Sequence, residues 1–317
     1  MQFKISGFWK RVGAFFIDAV ILGIFGLLLG LFFSQQFVEL GGWGRTVGFP
    51  IAAIYFVLLN SRIGGGQTIG KRALKIQVVD KNGELISLWK SAFRYSIIGI
   101  PYFLNGAMIP ESILQPIGFF LVSLLVFGFG LSIFYLILFN RNTRQSLHDI
   151  MAGTFVIRKG LVSDKAVKPI WSVHYAVCGL FLVLALLVPI FVENLSQNEF
   201  FSELIKTREQ IQKIPQVVYA TVQDGRSTFS SSDDKSKTTT YLSTQALISH
   251  PNIEDERLAL QIANIILETH EEAIQRNLVQ VVLTYGYDIG IASKWNSRRY
   301  SFSPEDWLKK KESNHEN

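Results

Sequence analysis

The sequence of 317 residues has a single cysteine, Cys178, so no disulfide can form within the chain. It is also poor in charge, because Asp, Glu, Lys and Arg together make up only 18% of the residues and are nearly missing from several long apolar runs. No Ala-x-Ala cleavage site follows the first of these runs, which is too long for the apolar region of a secretory signal peptide. We therefore expect that run to remain in the mature protein.

Signatures of soluble enzymes are missing as well. No set of Cys, His, Asp or Glu has metal-ligand spacing, and the C-terminal part shows no nucleophile or phosphate-binding signature. We expect no metal, no cofactor and no enzymatic activity. Residues 1–193 carry 17 Lys and Arg against 8 Asp and Glu, whereas residues 194–317 carry 14 against 17. Basic residues that flank apolar runs reflect membrane orientation and lipid contact, so we expect membrane lipids, and no nucleic acid, as partners.

Long apolar segments dominate the first half of the chain. A bilayer core of about 30 Å needs about 20 helical residues, and this length is reached at about 12–33, 41–60, 117–139 and 170–192. Segment 97–115 holds a shorter apolar run that fits either an interfacial helix or a further crossing, because a polar turn at 110–112 separates it from the next run. The sequence predicts a membrane α-helical bundle with four to five membrane segments.

Two basic loops set the expected orientation and carry a small element of their own. Residues 62–94 and 141–168 are rich in Lys and Arg, which places both loops in the cytosol together with the N-terminus. Alternating apolar residues at 74–78, a turn, and a return strand at 84–87 predict a small cytosolic β-hairpin. Residues 154–158 are expected to add a third strand.

The remaining part, residues 194–317, is predicted to be a soluble and extracytoplasmic α+β domain. About 120 residues are enough to bury a core. The apolar spacing predicts a helix over 255–271, and the Ser- and Thr-rich stretch 227–240 is predicted to be a loop. A module that binds a protein partner or senses a ligand is the default for this domain.

Asp18 is the most unusual residue of the first span, since a carboxylate at a helix centre costs roughly 2.5–3.5 kcal/mol on insertion. Arg11 lies two turns away on the same helix face, too far for a direct salt bridge. Three interpretations stay open: a hydrogen bond that fixes packing against another span, a titrating or cation-binding group, and exposure to lipid.

Two further motifs have competing interpretations. The stretch GGGQTIGKR at 64–72 has most of a phosphate-binding loop, but Arg72 stands where Ser or Thr would bind Mg²⁺. A tight turn with Lys71 and Arg72 near lipid phosphates is the favoured interpretation. His148 and Asp149, just after a span, fit a proton relay or a solvated polar loop.

Three stretches, GFWKRVGAFFIDAVIL, GGGQTIGKRALKIQVVDKNGELIS and RQSLHDIMAGTFVI, resemble the RDD family of bacterial membrane proteins. The resemblance covers about residues 6–158 and makes residues 1–168 an RDD-like membrane domain. The family is named for one arginine and two aspartates, which the resemblance places on Arg11, Asp18 and Asp149. Other positions that match or support the motifs are Gln67, Gly70, Lys71, Arg72 and His148.

The resemblance implies transport of small cations or protons across the bacterial inner membrane, because some family members are associated with sodium/proton antiport. The number of spans is small for a transporter, so a homo-oligomer is expected. The alternative is a non-transporting scaffold or sensor, in which Asp18 and Arg11 fix the helix bundle and the external domain binds a partner.

Cysteine accessibility tests the predicted topology. In a chain with Cys178→Ala, single cysteines at Ser231 and Ser163 should differ in intact cells: a membrane-impermeant maleimide should label the first and not the second. Protection of both would place the C-terminal domain in the cytosol and contradict the predicted last crossing.

Overall fold

The computed structural model describes residues 3–109, 114, 116–162, 167–230 and 236–315. Its chain divides into two compact units. The first unit contains residues 1–33, 42–191 and 288–293, and the second contains 34–41, 192–287 and 294–317.

The elements follow one another with short connections. The helices are α1 (Phe8–Glu39), α2 (Arg45–Asn60), α3 (Ile69–Ala73), α4 (Leu88–Leu104), α5 (Pro116–Ser123), α6 (Gly130–Phe139), α7 (Leu147–Met151), α8 (Val173–Ser196), α9 (Glu199–Gln212), α10 (Glu256–Thr269) and α11 (Pro304–His315). A π-helical turn, Leu124–Phe129, joins α5 to α6. The strands are β1 (Phe3–Ile5), β2 (Ile76–Asp80), β3 (Thr154–Val162), β4 (Val217–Ser230), β5 (Ser236–Ile248), β6 (Leu278–Asp288) and β7 (Ser293–Phe302).

Within the described residues, four helical segments are long and apolar enough to cross a membrane: Phe8–Glu39, Gly41–Asn60, Ile117–Phe139 and Val173–Ser196. Large apolar side chains on α1 point outward, with Leu31 73% and Phe32 76% exposed. Such surfaces need lipid contact. The helix α1 has 32 residues, roughly 48 Å at 1.5 Å per residue, so its ends extend beyond a bilayer core of about 30 Å. The predicted membrane helix bundle is confirmed.

The segment predicted at 97–115 belongs to a helix that starts earlier than its apolar run. Helix α4 begins after Ser87, whose hydroxyl accepts a hydrogen bond from the backbone N–H of Lys90. It ends at Leu104, and its first half carries Arg94. Helix α4 is not among the segments long and apolar enough to cross, and the predicted polar turn at 110–112 lies outside the described residues.

A three-stranded antiparallel sheet replaces the predicted hairpin, with the strand order β1-β3-β2. The predicted return strand at 84–87 is wrong: the backbone N–H of Asp80 donates to the carbonyl of Glu84 at 2.9 Å, but beyond this turn the other edge of β2 has a different partner. There, the backbone N–H of Val78 donates to the carbonyl of Gly66 at 2.8 Å. The carbonyl of Ile86 instead accepts from the backbone N–H of Arg62, at the end of α2. Strand β3 begins at the predicted position and pairs with β2 over five residues, Ile76 to Asp80.

The second unit is an α+β domain, as predicted. Its four strands lie in the order β4-β5-β6-β7, with β4 and β5 antiparallel and β5 and β6 parallel. Helix α10 begins one residue after its N-cap, Asp255, which accepts from the backbone N–H of Leu258 at 2.9 Å. The stretch predicted as a loop at 227–240 instead continues the strands β4 and β5 on both sides of the residues outside the description.

One core holds the second unit together. It joins the apolar face of α10, the strands β5 and β6, and Trp307 of α11, which is 1% exposed. The indole N–H of Trp307 donates to the carbonyl of Val279 at 2.9 Å, so the largest buried side chain is also satisfied as a donor. Burial of this kind is what lets about 120 residues fold.

Candidate functional site

Asp18 is fully buried in the first unit and surrounded by donors. The hydroxyl of Tyr55 on α2 donates to Oδ1 at 2.6 Å, and the backbone N–H of Gly70 donates to the same oxygen at 2.8 Å. The hydroxyl of Thr68 donates to Oδ2 at 2.6 Å. Exposure to lipid is therefore excluded, and the carboxylate ties α1 to α2 and to the start of α3.

The chain approaches α1 so closely at Gly70 that no larger residue fits. A Cβ atom at this position would lie 2.1 Å from the carbonyl oxygen of Ala14. Thr68, the N-cap of α3, also accepts from the backbone N–H of Lys71 at 3.3 Å. Since the Gly70 amide is taken by Asp18, the loop does not present it to a nucleotide phosphate, in agreement with the interpretation of this stretch as a turn.

The polar side chains of the same loop bond within the protein. Gln67 donates to the carbonyl of Ile76 at 2.8 Å and accepts from the Lys159 ammonium at 2.8 Å. Arg72 donates to the carbonyl of Gly64 at 3.0 Å. These bonds fasten the loop to the sheet.

Asp149, at the start of α7, is fully buried between two guanidiniums. Arg94 donates to Oδ1 through Nη2 at 2.7 Å and Nε at 3.0 Å, and Arg11 donates to Oδ2. The hydroxyl of Thr154 donates to Oδ1 at 3.1 Å. Burial alone would raise the pKa of Asp149, but Arg94 and Arg11 outweigh it and hold that pKa well below its usual range.

His148 is buried beside this ion cluster, so the interpretation as a solvated loop is wrong. Nη2 of Arg94 lies 3.0 Å from Nε2 of His148, and a guanidinium only donates. The ring is therefore neutral with its proton on Nδ1, which lies 2.6 Å from the hydroxyl of Ser146. Burial lowers the pKa of His148 to about 3, and Arg94 and Arg11 act in the same direction against Asp149. A neutral ring with both nitrogens bonded orients its neighbours and holds no mobile proton at neutral pH.

Lys71 lies apart from these bonds, at the wall of a cavity of about 310 Å³ within the first unit. Burial and Arg94 lower the pKa of Lys71 to about 7, with Arg11 acting in the same direction and Asp18 and Asp149 opposing. The described part of the chain brings no three His, Cys, Asp or Glu together as a possible metal site.

The structure thus brings the predicted residues into two neighbouring clusters and adds five that the sequence did not single out: Arg94, Tyr55, Thr68, Ser146 and Thr154. Arg94 was counted only as a positive charge of a cytosolic loop. Ser87 is a helix N-cap signal, and a helix starting there places Arg94 two turns inside it. Nothing in the local sequence around Tyr55 points to Asp18.

Replacing Asp149 with Asn should strongly destabilise the protein. It removes the one carboxylate that Arg11 and Arg94 share, and an uncompensated buried charge costs about 3–5 kcal/mol. Thermal unfolding of the purified chain in detergent measures the effect. The exposed residue Asp306, 3.9 Å from Lys309, is the control, since its change to Asn should cost under about 1 kcal/mol. Equal small shifts in both variants would contradict a structural role for the cluster.

His148 should make the protein less stable in mild acid. The histidine takes up a proton near pH 6.5 when unfolded but only near pH 3 when folded, so stability is complete above pH 6.5 and falls below it. The slope is about 1.4 kcal/mol per pH unit. The wild-type melting temperature should therefore drop between pH 7 and pH 5, and His148→Gln should reduce that drop. An unchanged pH slope in the variant would contradict the buried neutral ring.

Comparison with known proteins agrees with these motifs. Residues 5–153 match the model of the RDD family. Two proteins of Bacillus subtilis (strain 168) are similar to part of this chain. The uncharacterized protein YckC is 26% identical over 49% of this chain and 85% of its own length, and the uncharacterized protein YxaI is 27% identical over 49% of this chain and 99% of its own length. No solved structure gives a significant match. The resemblance to the RDD family is therefore confirmed as a match over residues 5–153.

Proposed function

We propose that the RDD half is a non-transporting membrane scaffold, and that residues 194–317 bind a protein partner. The observation that carries this proposal is that buried Asp18 accepts hydrogen bonds from three donors of its own chain, Tyr55, Thr68 and Gly70. A carboxylate that moves an ion must exchange its ligands during each cycle. Asp18 is bonded as a fixed structural group.

The energies favour the same assignment. Hydrogen bonds to charged groups contribute about 1.5–3 kcal/mol each, so releasing Asp18 from three of them costs several kcal/mol. Asp149 is held by Arg11 and Arg94 in a similar way. Both carboxylates keep helices and loops in one arrangement, which is what a scaffold needs.

The C-terminal unit fits a binding role better than a catalytic one. Its described residues form a single core under a four-stranded sheet, and the outer strand β7 is exposed from Ser293 to Arg299. Edge strands with Lys and Arg resist pairing with other chains, so a partner of this surface is a folded protein that contacts side chains. The proposal includes no enzymatic activity.

Cation or proton transport is the second candidate, and one observation favours it. Lys71 lines a cavity and has a pKa lowered to about 7, so it can gain and lose a proton near neutral pH. In this antiport-like scheme, Lys71 is the group that titrates, and the buried carboxylate Asp18 stabilises its charged form. A homo-oligomer would supply further walls to the path.

The proposed location is the bacterial inner (plasma) membrane. The support is the charge pattern, because positive loops stay in the cytosol, and the first half of the chain has an excess of nine positive charges, 17 against 8. The N-terminus then faces the cytosol, and the C-terminal domain lies outside.

The variant Asp18→Asn separates the two functions. Asn keeps the shape but brings an amide N–H₂ toward donors, so the scaffold proposal expects a lower melting temperature in detergent and no change in ion flux. Flux is measured in proteoliposomes as proton movement driven by a sodium or potassium gradient. Glu39→Gln, an exposed change on the same helix, is the control for both readouts. Cation-driven proton movement in the wild type that disappears in a folded Asp18→Asn or Lys71→Gln variant would establish transport and overturn the scaffold.

A further inference from the structure

The cavity of about 310 Å³ in the first unit has two chemically different regions. One region is lined by basic side chains: Arg11, Lys71, Arg94 and Arg144. The other region is lined by apolar and aromatic side chains from α1, α2 and α4: Phe15, Leu22, Phe56, Ile98 and Phe103. The volume of the whole cavity falls in the range of small-molecule pockets. A cavity that is cationic at one region and apolar at the other matches a ligand with an anionic head and a hydrocarbon tail.

The basic region carries an excess of positive charge. Arg11 and Arg94 share the single carboxylate of Asp149. The side chains of Lys71 and Arg144 have no hydrogen-bond or salt-bridge partner within the ranges that the structure describes. Arg144 and the protonated form of Lys71 attract an anion, and a phosphate offers three or more acceptor oxygens to them.

Two of the residues that line the cavity carry an orphaned polar atom. The side-chain oxygen Oδ1 of Asn60 and the hydroxyl of Tyr95 are buried and lack a hydrogen-bond partner among the described residues. A buried polar atom without a hydrogen-bond partner destabilises the protein. A bound molecule that donates to Asn60 and accepts from Tyr95 removes this cost, so its polar part carries both a hydroxyl and a carbonyl or ester oxygen.

The backbone at the basic region is strained as well. Arg144 has φ of +54°, in the left-handed region that residues other than Gly rarely adopt. Such strain concentrates at ligand sites. The strained residue, Arg144, is itself one of the residues that line the cavity.

We propose that this cavity binds an acidic glycerophospholipid, with its phosphate beside Lys71 and Arg144 and one acyl chain among the aromatic side chains. Phosphate, glycerol hydroxyl, ester oxygen and hydrocarbon are all present in phosphatidylglycerol, one member of this class. The site does not depend on the scaffold proposal, because a lipid can occupy it in a scaffold or in a transporter.

The test uses the full chain purified in a neutral detergent and incubated with phosphatidylglycerol or with phosphatidylcholine of the same acyl chains. Native mass spectrometry then counts retained lipid. The expected result is at least tenfold greater retention of phosphatidylglycerol. Equal retention of the two lipids would mean nonspecific annular lipid and would overturn the proposal.

Charge variants locate the headgroup. Lys71→Gln and Arg144→Gln should each reduce phosphatidylglycerol retention about tenfold, whereas the exposed controls Lys81→Gln and Arg141→Gln should leave it unchanged. If all four variants lose retention equally, general surface charge holds the lipid and the cavity does not.

Cavity variants locate the acyl chain and the orphaned hydroxyl. Ala19→Phe narrows the cavity and should abolish retention, while Ala176→Phe on the exposed side of α8 should not. Tyr95→Phe should weaken retention without lowering the melting temperature of the lipid-free protein, since the hydroxyl has no hydrogen-bond partner among the described residues. A lower melting temperature with normal retention would assign Tyr95 to structure alone and remove it from the site.

A free inorganic phosphate is the other ligand whose charge matches the basic side chains of the cavity. Inorganic phosphate at millimolar concentration should not displace phosphatidylglycerol from the wild type, because it lacks the acyl chain. Full displacement by phosphate, together with normal retention in Ala19→Phe, would show a phosphate site and overturn the lipid assignment.

Discussion

The first unit depends on one carboxylate shared by two guanidiniums. Asp149 on α7 holds Arg11 of α1 and Arg94 of α4, and Thr154 at the start of β3 completes its bonding. Arg11 and Asp149 lie 138 positions apart in the chain. A buried ion pair adds little net stability over an apolar contact, but breaking it is costly. Its effect is therefore specificity: only the arrangement that brings both arginines to Asp149 avoids an unpaired buried charge.

Asp18 holds α1 at a second position along the helix. Arg11 and Asp18 lie on one helix face, two turns apart, and each binds a different part of the chain. Arg11 reaches α7, whereas Asp18 reaches α2 and the loop before α3. Helix α1 is thus held at two points along its length, at Arg11 and at Asp18. Apolar contacts alone would leave α1 free to rotate or slide, because lipid tails are as apolar as the helices themselves.

The sequence predicts those elements whose signals are local. Apolar runs of about 20 residues identify membrane helices, and the family motifs mark Arg11, Asp18 and Asp149 as special without giving the partners of Asp18. The partners come from tertiary contacts: Tyr55 is 37 residues from Asp18, and Thr68 is 50 residues away. The hairpin prediction failed for a similar reason. A turn and alternation do predict two strands, but strand β3, far along the chain, pairs with β2, and the loop at Gly66 takes the other edge.

The role of Arg94 shows how one boundary changes a functional interpretation. In the sequence, Arg94 is one of seven Lys and Arg residues at 62–94, which the charge pattern predicts to be a cytosolic loop. Placed on α4, which begins at Leu88, it becomes the bidentate partner of Asp149 and the donor that fixes the tautomer of His148. Helix boundaries are the least certain part of sequence interpretation, and here the boundary separates a surface charge from a buried one.

The close contact at Gly70 has a consequence for how the GGGQTIGKR stretch works. In phosphate-binding loops, backbone amides close around an anion that arrives from solution and leaves again. Here the anion at the Gly70 amide is Asp18, a side chain of the same molecule. The loop binds a carboxylate of its own chain. Its conformation is therefore fixed when the chain folds and does not respond to the concentration of a nucleotide.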